Sequence, residues 1–466
     1  MHRPFFKAAV HQSFLFAVCP ASVGRKVMSL STKPPVKPPL TPEVAEKAAV
    51  EDYPLSAVPL SDRKPFWSLS LLLMGFALTS TTLFAGGALG PAFSFPQLMA
   101  VILIGNLILG AYCAALGYIA AKSGLTTVLM ARFSFGDVGS RWVDFILGFT
   151  QIGWYAFTTA VVVQALLGAF GLGESGLLYT VLVFFFNYAF CATAYVGYKA
   201  IDWLSRLAVP AMLVLVAVSM SLAFRDFAGA AIAQTPDELS MGAALAIVIG
   251  TIISGGTQST NWSRFADSGK SAVWATLSAF FLVNGLLVFA GAFCALVYGS
   301  EDLVAAMGTQ GILAGGVLLL ILNVWTTQDN TIYAFSVAGA NMFRTRKRHA
   351  FVLGGATLAL VLTLSGIYDL LPTYLIFLGT VIPPVGGIIM VDFWLRHRGA
   401  FPSLAARLPA FNWAGVIGYV AGAVVAYMTG NAGIGIGPVN GIVVAAVLYG
   451  ILFNVIPQPI GFLRGE

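Results

Sequence analysis

The chain has 466 residues, 58% of them hydrophobic and 9% charged, with a mean hydropathy of +0.86. A soluble domain carries roughly a quarter charged residues, so composition excludes a soluble globular protein and indicates an integral membrane protein with spanning helices. The formal charge of +6 does not require nucleic acid, because Lys and Arg also mark cytoplasmic loops.

Residues 1–65 stand apart. The stretch "STKPPVKPPLTPEVAEKAAVEDYPLSAVPLSDRKP" is rich in proline and charge and reads as a disordered cytoplasmic tail. Before it, "FLFAV" is too short for a signal-peptide core, and His11 and Gln12 interrupt any longer version. Translation is expected to start at Met28, with residues 1–27 an extension. From 66 to 458 the sequence reads as one transporter domain of twelve apolar segments. They cover 66–90, 96–121, 142–170, 177–196, 202–224, 241–259, 272–299, 311–338, 350–367, 370–395, 412–430 and 440–458. Residues 459–466 form a short C-terminal tail. With both termini in the cytoplasm, Arg225 is the one exception among 25 Lys and Arg residues to the positive-inside rule. The acidic residues Glu174, Glu301, Asp302 and Asp369 then fall outside.

The first segment contains "MGFALTSTTLFAGGALG" (74–90) and the sixth "VIGTIISGGTQST" (248–260). Glycine carries little penalty for leaving helical geometry, and Ser and Thr satisfy freed backbone groups. Close packing through small residues is the alternative for either segment alone. Two such segments five spans apart, however, mark broken helices at matching positions of two inverted halves. In the third segment, "GFTQIGWYAF", Gln151 and Trp154 share a helix face. An amide offers a donor beside an acceptor, and an indole offers a flat face, which together suit a polar heterocycle. Hydrogen bonding to a neighbouring helix and ordinary core packing are the alternatives.

The eighth segment contains "LNVWTTQDNTIYA" (322–334). Asn323, Thr326, Thr327 and Asn330 fall on one helical stripe. A pair of Thr hydroxyls, completed by carbonyls of an unwound helix, suits an alkali cation; interhelical hydrogen bonding is the alternative. Asp329 lies off the stripe as a structural acceptor or a protonatable group. The tenth segment has "IPPVGGIIMVDFW", where Pro383, Pro384 and Gly386 form a hinge, a gate or a static kink. The cysteines (Cys19, Cys113, Cys191, Cys294) show no CxxC or metal spacing. The histidines (His2, His11, His349, His397) lie in the tail or in basic loops. No metal centre or cofactor is expected beyond a coupling ion.

The stretches "GYIAAKSGLTTVLMARFSFG" (117–136), "TQIGW", "NVWTTQDN" and "IPPVGGIIMVDF" resemble those of the cytosine permeases, within the nucleobase–cation symporters of the purine, cytosine, hydantoin and allantoin type. The likeness runs from about residue 60 to about 457. It implies an all-α, five-plus-five inverted-repeat fold of the leucine-transporter type with two extra helices, and alternating access with sodium coupling. It also implies that a base stacks on Trp154 and bonds Gln151, with Thr79, Ser80, Thr251, Ile252, Ser254 and Asn323 around it. Sodium would sit between the carbonyls of Gly75 and Leu78 and groups of Asn323, Thr326 and Thr327. Ile252 stands where those permeases tend to carry an aromatic residue, Gln328 where a second Asn is usual, and Leu78 and Thr79 where a Phe pair is.

The expected function is therefore import of cytosine or a related nucleobase by sodium symport, at a bacterial-type inner membrane. The main alternative is proton- or sodium-coupled import of another flat heterocycle: a purine, hydantoin, allantoin or hydroxymethylpyrimidine. A channel would need a repeated filter motif, and an enzyme would need a catalytic His, Cys or paired acids at one depth; none stands out in the sequence. The expected partners are the substrate and the bilayer, with no nucleic acid and no obligate protein. Deleting residues 1–27 should leave expression and uptake near wild type. Loss of membrane insertion in that truncation would make the segment a targeting element.

Overall fold

The computed structural model describes residues 52–172, 176–227, 239–300, 303–366 and 371–456. In chain order the helices are α1 (Phe66–Ala77), α2 (Ser80–Leu89), α3 (Phe95–Ser123), α4 (Thr127–Phe135), α5 (Ser140–Ala169), α6 (Gly176–Val196), α7 (Tyr198–Phe227) and α8 (Met241–Gly250). There follow α9 (Ile253–Ser263) and α10 (Gly269–Tyr298). The remainder are α11 (Leu303–Thr309), α12 (Leu313–Met342), α13 (Arg348–Leu364), α14 (Leu371–Val381), α15 (Pro383–Val391), α16 (Trp413–Asn431) and α17 (Gly437–Val455).

Eight helical spans are long and apolar enough to cross a bilayer, and two bent pairs, α1–α2 and α8–α9, add two more. α12 has 30 residues, but the polar run from Asn323 to Asn330 lowers its hydropathy. α13 has 17 residues and reaches about 25 Å at 1.5 Å per residue. With these two, the described residues hold the twelve expected spans in the expected order. A bent pair opens each five-span unit. A short helix follows the second span of each unit, α4 after α3 and α11 after α10. An odd number of spans turns the second unit upside down relative to the first. The last two spans, α16 and α17, pack on each other and on α15.

The sequence treats residues 127–135 as loop. They fold as α4, because Thr126 caps the helix through Leu129 N at 3.2 Å and Leu129, Met130 and Phe133 are buried. Thr127 then bonds the hydroxyl of Thr260 and the carbonyl of Thr257, both at 2.6 Å, which docks α4 under α9. Where α2 meets α10 the backbones nearly touch. A Cβ on Gly291 would lie 2.0 Å from the Leu83 carbonyl oxygen, and one on Gly86 2.1 Å from that of Val288. Small residues permit this approach and the dispersion contacts it brings.

The expected tail ran to residue 65. Residues 1–51, including the proposed extension, lie outside the described residues, as do the acidic positions Glu174, Glu301, Asp302 and Asp369 and the tail 459–466. Residues 52–65 pack against the helices instead of lying free. They have something to bury after all: Tyr53 and Val58 are 6% and 3% exposed. Arg63 Nη1 donates to the carbonyls of Ala121 and Ala266, each at 2.9 Å. Arg264, fully buried, donates to the backbone oxygens of Tyr53 and Asp52 at 2.8 and 2.6 Å. The Asp52 carboxylate accepts from Tyr198 N at 2.9 Å and stands 3.7 Å from Arg348, also fully buried. Burial pushes the Asp52 carboxyl above its ordinary range, against the pull of Arg348. This strap ties together the ends of α3, α7, α9 and α13. The same face holds Arg132 and Arg344 on Asp137, at 2.6 and 3.1 Å.

Gly197 makes the strap's seat. Its φ is +105°, and a Cβ there would stand 2.4 Å from Asp52 Oδ2 and 2.9 Å from Arg348 Nη2. Removing one partner of a buried ion pair costs about 3–5 kcal/mol. Asp52→Ala should therefore lower the Tm of the detergent-solubilised protein clearly, and Gly197→Ala should do the same. An unchanged Tm in both variants would mean that the strap adds nothing to stability.

Candidate functional site

Both helix breaks sit where the sequence places them. α1 ends at Ala77, Leu78 and Thr79 are extended, and α2 starts at Ser80, with 56° between the two helices. α8 ends at Gly250, Ile252 leaves helical geometry at φ −146° and ψ 16°, and α9 restarts at Ile253, with a bend of 47°. Four helix ends thus meet at mid-depth, bringing backbone polar groups where hydrocarbon alone would not tolerate them.

A cavity with about 310 Å³ of empty space, part of it open to the outside, lies between the breaks. Phe76, Thr79 and Thr81 line it from the first break, and Thr251, Ile252 and Gly255 from the second. Gln151 and Trp154 reach it from α5, and Thr327 and Thr331 from α12. Gln151 Nε2 donates to Ser254 Oγ at 3.2 Å, which leaves the amide one N–H and its oxygen for a ligand. The Trp154 ring is held edge-on by Phe157 and Tyr374, at centroid distances of 6.2 and 5.9 Å.

Of the expected substrate residues, Gln151, Trp154, Thr79, Thr251 and Ile252 line this cavity. Ser254 stands behind it as the partner of Gln151. Ser80 and Asn323 bond each other at 2.8 Å and line a second cavity of about 400 Å³ beside α11 instead. Phe76, Thr81, Gly255 and Thr331 also line the first cavity and escaped the sequence reading. Thr331 lies four residues beyond Thr327, so an extended stripe would have included it.

Of the expected cation ligands, Leu78 and Thr327 meet across the α1–α12 contact. Thr327 Oγ1 stands 3.1 Å from the Leu78 carbonyl oxygen and 2.9 Å from that of Asn323. Thr326 Oγ1 turns to the carbonyls of Leu322 and Asn323, at 3.0 and 3.1 Å. Gly75 lies one turn before the first break, buried beside Ser205. These are neutral oxygens around an unwound helix, the donor chemistry a hard cation takes. Gln328 clamps α12 to α5 through Tyr155 O and Thr159 Oγ1, at 2.7 and 2.8 Å. Asp329 is fully buried and accepts from Thr193 of α6 at 3.1 Å, away from the cavity. Pro383 and Pro384 open α15. Tyr112 OH donates to Pro383 O at 3.3 Å, and a Cβ on Gly386 would meet that hydroxyl at 2.0 Å. Toward the strap, Phe76 packs on the buried Trp262 at 4.7 Å and Trp262 faces Tyr333 at 6.1 Å, closing the cavity on that side.

A family model for permeases of cytosine/purines, uracil, thiamine and allantoin matches residues 58–453. This chain belongs to that permease family. The cytosine permease of Escherichia coli (strain K12) is 36% identical over 404 residues, covering 85% of this chain and 92% of the relative. The cytosine permease of Escherichia coli O157:H7 matches to the same extent. Among solved structures, a nucleobase-cation-symport-1 family transporter in a closed conformation with bromovinylhydantoin bound superposes with a TM-score of 0.74. It is 17% identical and covers 86% of this chain and 94% of its own. A Na+-coupled sialic acid symporter, 12% identical, superposes with a TM-score of 0.64 over 89% of this chain and 96% of its own. The permease is thus an all-α membrane transporter of the leucine-transporter type, and its relatives are permeases rather than enzymes.

A variant at the close α2–α10 contact tests the geometry that holds this permease's first break. Gly291→Leu cannot fit against the Leu83 carbonyl, so the variant should fail to accumulate as a monodisperse species on size-exclusion chromatography. Wild-type yield and elution would refute the close approach.

Proposed function

We propose that this permease imports cytosine or a closely related nucleobase together with sodium, by alternating access, at a plasma membrane of bacterial type. The observation that carries the reading is the meeting of Gln151 and Trp154 with the two helix breaks in one cavity. The Trp154 indole supplies a stacking face that any flat base can use. The free N–H and oxygen of the Gln151 amide match the paired donor and acceptor along one edge of a pyrimidine. Thr79 and Thr81, bonded to each other at 2.8 Å, keep one hydroxyl proton between them for a ligand, and Thr331, which donates to Thr327 O at 2.7 Å, can accept. The names of the Escherichia coli relatives support cytosine among the bases.

For sodium, the carbonyls of Gly75 and Leu78 and groups of Asn323, Thr326 and Thr327 are the ligands. Thr327 both lines the substrate cavity and faces Leu78 O, so an ion there orders the wall the base touches. That shared residue makes the two affinities depend on each other. The basic face that carries the strap points to the cytoplasm in this reading.

Reconstitution in proteoliposomes tests the proposal with cytosine, adenine, uracil, hydantoin and hydroxymethylpyrimidine, with and without sodium. Stacking on a base is worth roughly 1–3 kcal/mol, so Trp154→Ala should weaken cytosine binding by about one to two orders of magnitude. Normal affinity in that variant, or in Gln151→Ala, would place the site elsewhere.

The coupling ion has its own test. Thr326→Ala combined with Thr327→Ala should abolish the gain in substrate affinity that sodium gives, while Asp329→Asn keeps it. Uptake driven by a pH gradient without sodium, and lost in Asp329→Asn, would make the acid a proton carrier instead.

A further inference from the structure

Three buried polar side chains near the cavity belong to neither the base-binding nor the cation-binding set. They are Thr82 on α2, Asn106 on α3 and Asn284 on α10, exposed by 0%, 1% and 0%. Their hydrogen bonds form one network that includes Thr251. Thr82 Oγ1 donates to Asn284 Oδ1 at 2.9 Å. Asn284 Nδ2 donates to Asn106 Oδ1 at 2.8 Å and to Thr251 Oγ1 at 3.1 Å. Asn106 Nδ2 donates to Ile102 O at 2.8 Å. Thr251 Oγ1 donates to Val248 O at 2.8 Å.

The chain of donors fixes each amide. Turning Asn284 over would set its oxygen against that of Asn106, which the bond to Ile102 holds in place, and two acceptors would face each other. The single proton of Thr251 goes to Val248 O at 2.8 Å or to Asn284 Oδ1 at 3.4 Å, and a lone pair faces Asn284 Nδ2. The hydroxyl has nothing left to donate to a ligand, and the carbon atoms of Thr251 are what its side chain offers the cavity. Ile252, Gly255 and Phe76 extend the same apolar lining.

The backbone of α10 is built to deliver Asn284. Residues Ser278–Val283 form a π turn, and Asn284 is the first residue after it. Such turns are rare and concentrate at functional positions. This one rotates α10 so that Asn284 reaches the second helix break, where Thr251 closes α8.

We propose that Asn284 is a specificity-determining positioning residue. By holding the Thr251 hydroxyl out of the cavity, it gives the α8 wall a carbon surface. That surface accepts the C–H edge of a pyrimidine and penalises the ring nitrogen that a purine would bring there, because a buried acceptor without a partner costs binding energy. The inference rests on the nucleobase reading above and narrows it from flat heterocycles to pyrimidine bases.

The test is competition for radiolabelled cytosine uptake in proteoliposomes of the full-length permease, with cytosine and adenine as competitors. Wild type should prefer cytosine. Asn284→Ala leaves Val248 O as the one remaining hold on the Thr251 hydroxyl, so the side chain can rotate inward, and the variant should lower the cytosine-to-adenine preference about tenfold. Adding Thr251→Val to Asn284→Ala removes that hydroxyl and should restore the preference to within about threefold of wild type. A purely structural role would not be rescued in this way. If Asn284→Ala does not accumulate, Asn284→Ser retains an acceptor for Thr82 but is too short to reach Thr251, and the same loss and rescue are expected. Equal weakening for both competitors, or a double variant no more selective than the single, would overturn the positioning role. Absence of saturable cytosine uptake by wild type would overturn the nucleobase reading itself.

Discussion

Hydrocarbon offers no hydrogen bonds, and that single constraint organises this permease. A backbone may leave helical geometry at mid-depth only where protein groups or an enclosed cavity receive its N–H and C=O groups. Two spans do so, at Leu78–Thr79 and at Ile252. Much of what surrounds them answers the resulting demand. Thr327 reaches the Leu78 carbonyl, Ser254 engages Gln151, and Thr251 bonds back to its own helix at Val248. The polar side chains that line the cavity are among those that make the breaks tolerable. Function and local stability therefore draw on one set of side chains.

The helices around the breaks divide the work. α2 and α10 approach until their backbones nearly touch, which gives the first break a rigid support. α5 and α12 are joined by the Gln328 amide and bring Gln151, Trp154 and Thr327 to the cavity from the other side. The cavity and the Leu78–Thr327 contact thus lie between a wall built from the breaks and a wall built from intact helices. Alternating access needs two such walls able to shift against each other while each keeps its own hydrogen bonds.

Much of this was legible from periodicity and composition. The twelve spans followed from apolar length, and both breaks from glycine beside hydroxyl clusters five spans apart. Gln151 and Trp154 were readable because they share a face of one helix. Other features were hidden because their cause lies elsewhere in the chain. α4 and α11 are too short for the apolar signal, and α4 is held by Thr260, more than a hundred residues away. Ser80 and Asn323 were expected in the substrate cavity, but Ser80 donates to Asn323 Oδ1 and both line the cavity beside α11. The π turn before Asn284 follows from no local pattern in "SAFFLVNG"; only the position of Thr251 gives it meaning. The strap was missed because a segment rich in proline and charge reads as tail, and its anchors Arg264 and Arg348 come from the other half of the protein.

That last feature bears on how the protein is made. Residues 52–65 leave the ribosome before any span, yet their seat is built from Gly197, Arg264 and Arg348. Asp52 must wait for about 300 further residues, roughly 15–60 s of synthesis at ordinary elongation rates, before its counter-charge exists. Until then the Asp52 carboxylate lacks its counter-charge, although Arg264 can already meet the backbone oxygens of Asp52 and Tyr53. Docking of the strap thus requires that both halves have been made and have found each other.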